Sequence, residues 1–243
     1  MIEPAAHRLP RPLPPPIAFA AVTLGLAVLV AIAAHAIASS AVWQIAVPPV
    51  VFMAAMALAG GRMRVSYPHV TLGACNAVTQ GRAAMVAVLA MPVLMPDIMA
   101  TWRIEMFVVA LTALALDGVD GWLARRAGLS SAFGARFDME VDSALAAILA
   151  CLLLGVADGP VHVAALLVLG FARYGFVAMA RIAPWLDAPL PDRRSRKAVC
   201  VVQIGALIAV LAVPPFAPVL PFAAAAVLWS FGHDILWLAR RAP

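Results

Sequence analysis

Eight apolar stretches fill most of this 243-residue chain, at roughly 17–38, 41–60, 82–101, 104–126, 132–157, 160–182, 195–213 and 219–239. Each is near the twenty or so residues that, at about 1.5 Å per residue, cross roughly 30 Å of hydrocarbon. The composition agrees: 65% of residues are apolar and 12% charged, against about half and a quarter in a soluble domain. A water-soluble fold of this length could not bury so much apolar surface, so the bilayer must be part of the solvent. The expected class is an all-α polytopic membrane protein with about eight transmembrane helices. Short breaks such as Ala38-Ser39-Ser40, Asp158-Gly159-Pro160 and Pro214-Pro215 suit the tight turns between them.

Cation placement orients the spans. One set of span ends carries Arg8, Arg11, Arg62, Arg64, Arg82, Arg125, Arg126, Arg136, Arg181, Arg193, Arg194, Arg196, Lys197, Arg240 and Arg241. The opposite ends carry Arg103 alone, and Arg173 lies inside a span. This asymmetry predicts cytoplasmic termini and a cytoplasmic cation-rich face in the cell (inner) membrane. It also accounts for the net charge of +5 without a nucleic-acid partner. Cys75, Cys151 and Cys200 show no metal-ligand spacing and read as packing residues. The start resembles a signal peptide, but its apolar run is long enough to be a first span. The expected layout is a Pro-rich lead (Leu9–Pro16) and two spans over 1–60, an interfacial helix or linker over 61–81, and a six-helix membrane domain over 82–243.

Five of the twelve acids fall between residues 117 and 142. A carboxylate inside a span costs roughly 2.5–3.5 kcal/mol on insertion scales, so the cluster needs a compensating role. On a helix, Asp117, Asp120, Gly121 and Ala124 share one stripe; Gly134, Asp138 and Asp142 share another. Gly128 is a helix stop and Ser130 or Ser131 an N-cap, which places a turn near Leu129. Asp120 lies nine residues before that turn and Asp138 nine after it; Asp117 lies twelve before and Asp142 thirteen after. An antiparallel hairpin therefore brings four carboxylates to matched depths, roughly 13–20 Å along the helices from the turn. Like charges that close oppose one another, and one or two divalent cations would offset them, with all-oxygen ligands favouring Mg²⁺ or Mn²⁺. Gly121, Ala124 and Gly134 leave space beside the acids, and Arg125 stands one step on, able to meet phosphate. Acids, space and a cation together point to phosphoryl chemistry. An ion-translocation site is the alternative reading from residue type. Glu140 falls off the stripe and suits Arg136 or Arg173 as partner.

The pattern D-x-x-D-G-x-x-A-R-(x8)-G-x-x-x-D-x-x-x-D, filled by Asp117, Asp120, Gly121, Ala124, Arg125, Gly134, Asp138 and Asp142, resembles the signature of the CDP-alcohol phosphotransferase family. The resemblance covers about residues 65–243 and implies a six-helix core, so the two N-terminal spans are extra to it. Asn76, Thr79 and Arg82 resemble the family's N-x-x-T-x-x-R entry to the first core helix, with Arg82 able to face phosphate; simple helix capping by Asn76 and Thr79 is the other reading. Lys197 and Gln203 match part of a G-K-x-K-T-x-x-Q pattern of glycerol-phosphate-using members, but Arg196, Val199 and Cys200 replace its other positions.

What the resemblance implies is a transferase that moves a phosphatidyl group from CDP-diacylglycerol to an alcohol acceptor and releases CMP. Asp117, Asp120, Asp138 and Asp142 would hold two divalent cations, Mg²⁺ or Mn²⁺, with Asp142 also the general base. Gly121, Ala124, Arg125, Gly134, Asn76 and Thr79 would meet the CDP moiety. Arg82, Arg173, Arg181, Arg196 and Lys197 are candidates for the acceptor. Such a basic set favours a phosphorylated alcohol such as glycerol 3-phosphate; inositol phosphate, serine or another alcohol stays open. The resemblance also implies a homodimer.

Overall fold

A computed structural model describes residues 13–38, 41–155, 157–191 and 193–241. Arg8, Arg11 and the first half of the Pro-rich lead lie outside the described residues, as do Ser39 and Ser40 of the first expected turn. The described residues are helical and contain no strand. The helices are α1 (Pro15–Ile37), α2 (Val42–Ser66), α3 (Gly73–Leu89), the single-turn α4 (Met91–Leu94), α5 (Met99–Arg126), α6 (Ala132–Leu154), α7 (Gly159–Ile182), α8 (Arg194–Ala212) and α9 (Val219–Ala239). Seven segments are long and apolar enough to cross a membrane. The eighth long helix is α6, whose first half carries Arg136, Asp138, Glu140 and Asp142. The protein is an integral membrane protein in which the long helix kept from the span criterion by its charges bears half of the acidic cluster.

The stretch 61–81 departs from the expected interfacial segment. Its first six residues complete α2, residues 67–72 form a short linker, and α3 is under way from Gly73. Residues 73–81 look too polar for a span because of Asn76, Thr79 and Gln80, yet all three are buried against other helices. Their polarity serves contacts inside the bundle, which local hydropathy cannot distinguish from an interface.

Helix α3 packs against α1, α5 and α6, while α6 also touches α7 and α8, and α8 and α9 close the other side. The two extra N-terminal helices are joined to this core by packing. Phe19 of α1 is 3% exposed, and its ring lies 5.9 Å from that of Phe137 and 6.5 Å from that of Phe133 on α6. Aromatic contacts of this kind add roughly 0.5–1.5 kcal/mol beyond the area they bury. Thr23 Oγ1 donates to Gln80 Oε1 at 3.3 Å, which ties α1 to α3 as well.

The α5–α6 turn is built as its residues dictate. Gly128 takes φ +66°, where a side chain would be strained. Leu129 N–H donates to Ala124 O at 2.9 Å and Gly128 N–H to Arg125 O at 3.3 Å, the paired bonds of a Schellman stop. Ser131 Oγ then accepts from Gly134 N–H at 3.0 Å and caps α6. The linker grips this turn: His69 Nε2 lies 3.2 Å from Ser130 O, and Gly73, at φ +72°, lies against Leu129.

Candidate functional site

The four aspartates converge as their depths require, and the group that joins them comes from α3. Arg82 has no exposed surface. Its Nη1 donates to Asp120 Oδ2 at 2.9 Å and also to Asp138. Its Nη2 lies 3.1 Å from Asp117 Oδ1 and also bonds Asp142. Each terminal nitrogen thus bridges one carboxylate of α5 and one of α6, in the pairs that share a depth. Nε completes the set by donating to Ala113 O at 3.0 Å. Buried charges persist when they are paired and hydrogen-bonded, and here α3 supplies the cation that lets the hairpin carry its acids.

Asp120 is the most enclosed of the four, and a second donor orients it: Thr79 Oγ1 lies 2.9 Å from the same Oδ2 that Arg82 meets. Asp117, Asp120 and Asp138 each present an oxygen within 4.8 Å of the other two. That oxygen-only donor set fits a hard divalent cation. Asp142, a helical turn beyond Asp138, joins the group through Arg82. Its side chain is 16% exposed, and its other oxygen, Oδ2, has Cys200 Sγ at 3.9 Å. Of the four expected metal ligands, three are within mutual reach and the fourth stands beside them.

The small residues open space as expected. A β-carbon at Gly121 would meet only Arg125, with Nη1 at 3.2 Å. One at Gly134 would lie 3.2 Å from Ser131 Oγ and 3.7 Å from Asn76 Oδ1. Ala124 is half-buried on the same stripe as Gly121, and Arg125 is exposed beside it. Asn76 Nδ2 donates to Leu72 O at 2.6 Å and to the Tyr67 hydroxyl at 3.1 Å, which leaves Oδ1 on the side of Gly134. Tyr67 in turn donates towards Thr71 O and Leu72 O, each at 2.9 Å, and burial pushes its phenol up from its ordinary range.

The basic residues are placed differently from the expected acceptor ring. Arg82 lies at the centre of the aspartates, with four hydrogen bonds and an ion pair to Asp117, and not at the interface facing phosphate. Arg173 pairs with Glu140 at 2.6 Å across α7 and α6, one of the two partners expected for that acid. Arg196 makes a forked contact with Asp234 on α9, at 3.0 and 3.3 Å, and Arg193 reaches the same acid at 3.4 Å. Arg181 and Lys197 are exposed at the ends of α7 and α8. Among the described residues, none of Arg173, Arg181, Arg196 and Lys197 bonds to the aspartate cluster.

Sequence reasoning missed Tyr67, Cys200 beside Asp142, and Asp234. The last was accessible: an acid in an apolar helix demands a partner, and the argument applied at 117–142 holds equally at 234.

The geometry gathers four carboxylates around one buried arginine within the helical bundle. The family model for CDP-alcohol phosphatidyltransferase matches residues 72–232, about two thirds of the chain. The protein belongs to the CDP-alcohol phosphatidyltransferase family. It is therefore a transferase that moves a phosphatidyl group from a CDP-alcohol to an acceptor, and the transporter alternative gives way. The match begins one residue before α3 and leaves α1 and α2 outside it. No curated protein matches the chain at the significance required. The same holds for solved structures.

Proposed function

We propose that the protein transfers the phosphatidyl group of CDP-diacylglycerol to a small polar alcohol and releases CMP, with glycerol 3-phosphate the first acceptor to test. The observation that carries this reading is the meeting of four carboxylates from two antiparallel helices beside the glycine-lined space of Gly121 and Gly134. Asp117, Asp120, Asp138 and Asp142 are the residues that would hold divalent cations, Mg²⁺ or Mn²⁺. Such ions, when bound, offset the charge of a diphosphate and polarise its phosphoryl oxygens.

The chain's own groups divide the remaining work. Gly121, Ala124 and Gly134 admit the flat cytidine, and Arg125, exposed at the rim, takes phosphate charge. Asn76 presents Oδ1 towards the same space, while Thr79 acts through Asp120 and not on the nucleotide. Asp142 Oδ1 is held by Arg82, so Oδ2 is the atom that takes the proton from the acceptor hydroxyl. A new bond forms from the acceptor oxygen to the lipid-side phosphorus, the phosphorus–oxygen bond to CMP breaks, and Arg125 stabilises the departing phosphate. Of the basic candidates, the exposed Arg181 and Lys197 would draw in an anionic acceptor by their field, since Arg173 and Arg196 are paired with Glu140 and Asp234. We further propose that the site faces the cytoplasm, as the cation asymmetry requires, and that the enzyme works as a homodimer.

The test is CMP release by the detergent-purified protein with CDP-diacylglycerol and Mg²⁺ or Mn²⁺. Glycerol 3-phosphate, inositol phosphate, inositol, serine and choline are offered singly, with Asp142→Asn in parallel. Release with one acceptor, lost in the variant, names the reaction and the acceptor together. No metal-dependent binding of CDP-diacylglycerol would sink the proposal.

A further inference from the structure

The Arg82 guanidinium is fully buried, and each of its contacts is to the protein itself: four carboxylates and one backbone carbonyl. Four hydrogen bonds and the ion pair with Asp117 turn all three of its nitrogens towards protein acceptors. It arrives from α3, outside the hairpin that carries the acids, and its flat fork spans both depth-matched pairs at once. Without it, four carboxylates would face one another inside a helical bundle, and removing one partner of a buried ion pair is far more damaging than never building it.

We propose that Arg82 is the resident counterion of the site: it holds the four aspartates in register without divalent metal, so the α5–α6 hairpin does not need metal to fold. Metal then serves the reaction and not the architecture. The inference rests on the metal-site reading given above, and it assigns Arg82 a positioning role in place of substrate contact. The specific consequence is a trade. If the guanidinium is removed, the same carboxylates must take their positive charge from solution, and folding becomes metal-dependent.

The experiment measures thermal unfolding of the full-length protein in detergent, in EDTA and in excess Mn²⁺, with Mn²⁺ binding followed by the loss of its free-ion electron paramagnetic resonance signal. The wild type should bind Mn²⁺ yet lose only a few degrees of Tm in EDTA. Arg82→Met, which keeps length and removes charge, should lose on the order of 10 °C in EDTA relative to Mn²⁺. Arg82→Lys, which keeps the charge without the fork, should show a smaller EDTA shift than Arg82→Met. Equal EDTA shifts for wild type and Arg82→Met, with Mn²⁺ bound by both, would overturn the proposal and leave the metal site standing. A wild type that binds no Mn²⁺ would remove the metal-site reading and the proposal with it. Should Arg82→Met not fold even in Mn²⁺, Arg82→Met/Asp120→Asn decides. Recovery of that double variant supports the charge balance. Its failure, where Asp120→Asn alone folds, overturns it.

Discussion

Gly73 and Leu129 are 56 positions apart in the chain and in direct contact: any β-carbon on residue 73 would overlap the leucine side chain. Residue 73 also holds φ +72°, so the site demands glycine on two independent grounds. The contact seats the start of α3 on the α5–α6 turn and fixes how far Arg82 reaches into the hairpin.

Gly73→Ala should therefore destabilise the protein by about 2–4 kcal/mol, combining left-handed strain with overpacking. Thermal unfolding in detergent reads this as a fall in Tm of several degrees. Adding Leu129→Ala should restore part of the loss, because it removes the overlap and leaves the strain. Full additivity of the two losses would show that the contact is not the cause.

Gly121→Leu fills the space beside Arg125 and removes no carboxylate. CMP release should fall by about a hundredfold, equivalent to roughly 2.8 kcal/mol of transition-state stabilisation. Mn²⁺ binding should persist. A variant that released CMP at the wild-type rate would mean that the nucleotide lies elsewhere.

Thr79→Val keeps the shape of residue 79 and deletes the donor to Asp120 Oδ2. A hydrogen bond to a charged group contributes about 1.5–3 kcal/mol. The prediction is at least about a tenfold loss of CMP release, with more Mg²⁺ or Mn²⁺ needed for half-maximal rate. An unchanged metal titration would assign Thr79 to the nucleotide after all.

Chelation separates chemistry from architecture. EDTA should abolish CMP release, and Mn²⁺ should restore it. Asp142→Asn should lower the rate by about 10²–10⁴-fold, the range of general acid–base contributions, while Mn²⁺ still binds at Asp117, Asp120 and Asp138. Activity that survives exhaustive chelation would contradict a metal role for these aspartates.

The hairpin was legible because its signals are local. Gly128 and Ser131 set the turn, and counting outward from Leu129 pairs Asp120 with Asp138 and Asp117 with Asp142; the two terminal nitrogens of Arg82 respect that pairing. The start of α3 was not legible. Asn76, Thr79 and Gln80 owe their burial to Tyr67, Asp120 and Thr23, and no window on hydropathy contains those partners. Arg82 misled for the same reason: a cation near a span end reads as interfacial until the acids 35 to 60 positions later are folded onto it. Arg196 belongs to Asp234 for a further reason, namely that ion pairing between α8 and α9 is a choice of helix neighbours.

The charge content of α6 has a bearing on how the chain enters the bilayer. A segment with Arg136, Asp138, Glu140 and Asp142 in its first half would partition poorly on its own, since each such residue near mid-membrane adds roughly 2.5–3.5 kcal/mol to the insertion cost. Synthesis runs from the N-terminus, so α3 and its arginine leave the ribosome before any of the four aspartates. The guanidinium is therefore in the chain before α5 and α6 are made. Insertion of the most reluctant helix is thereby turned from a solitary partitioning step into docking on a partner made ahead of it.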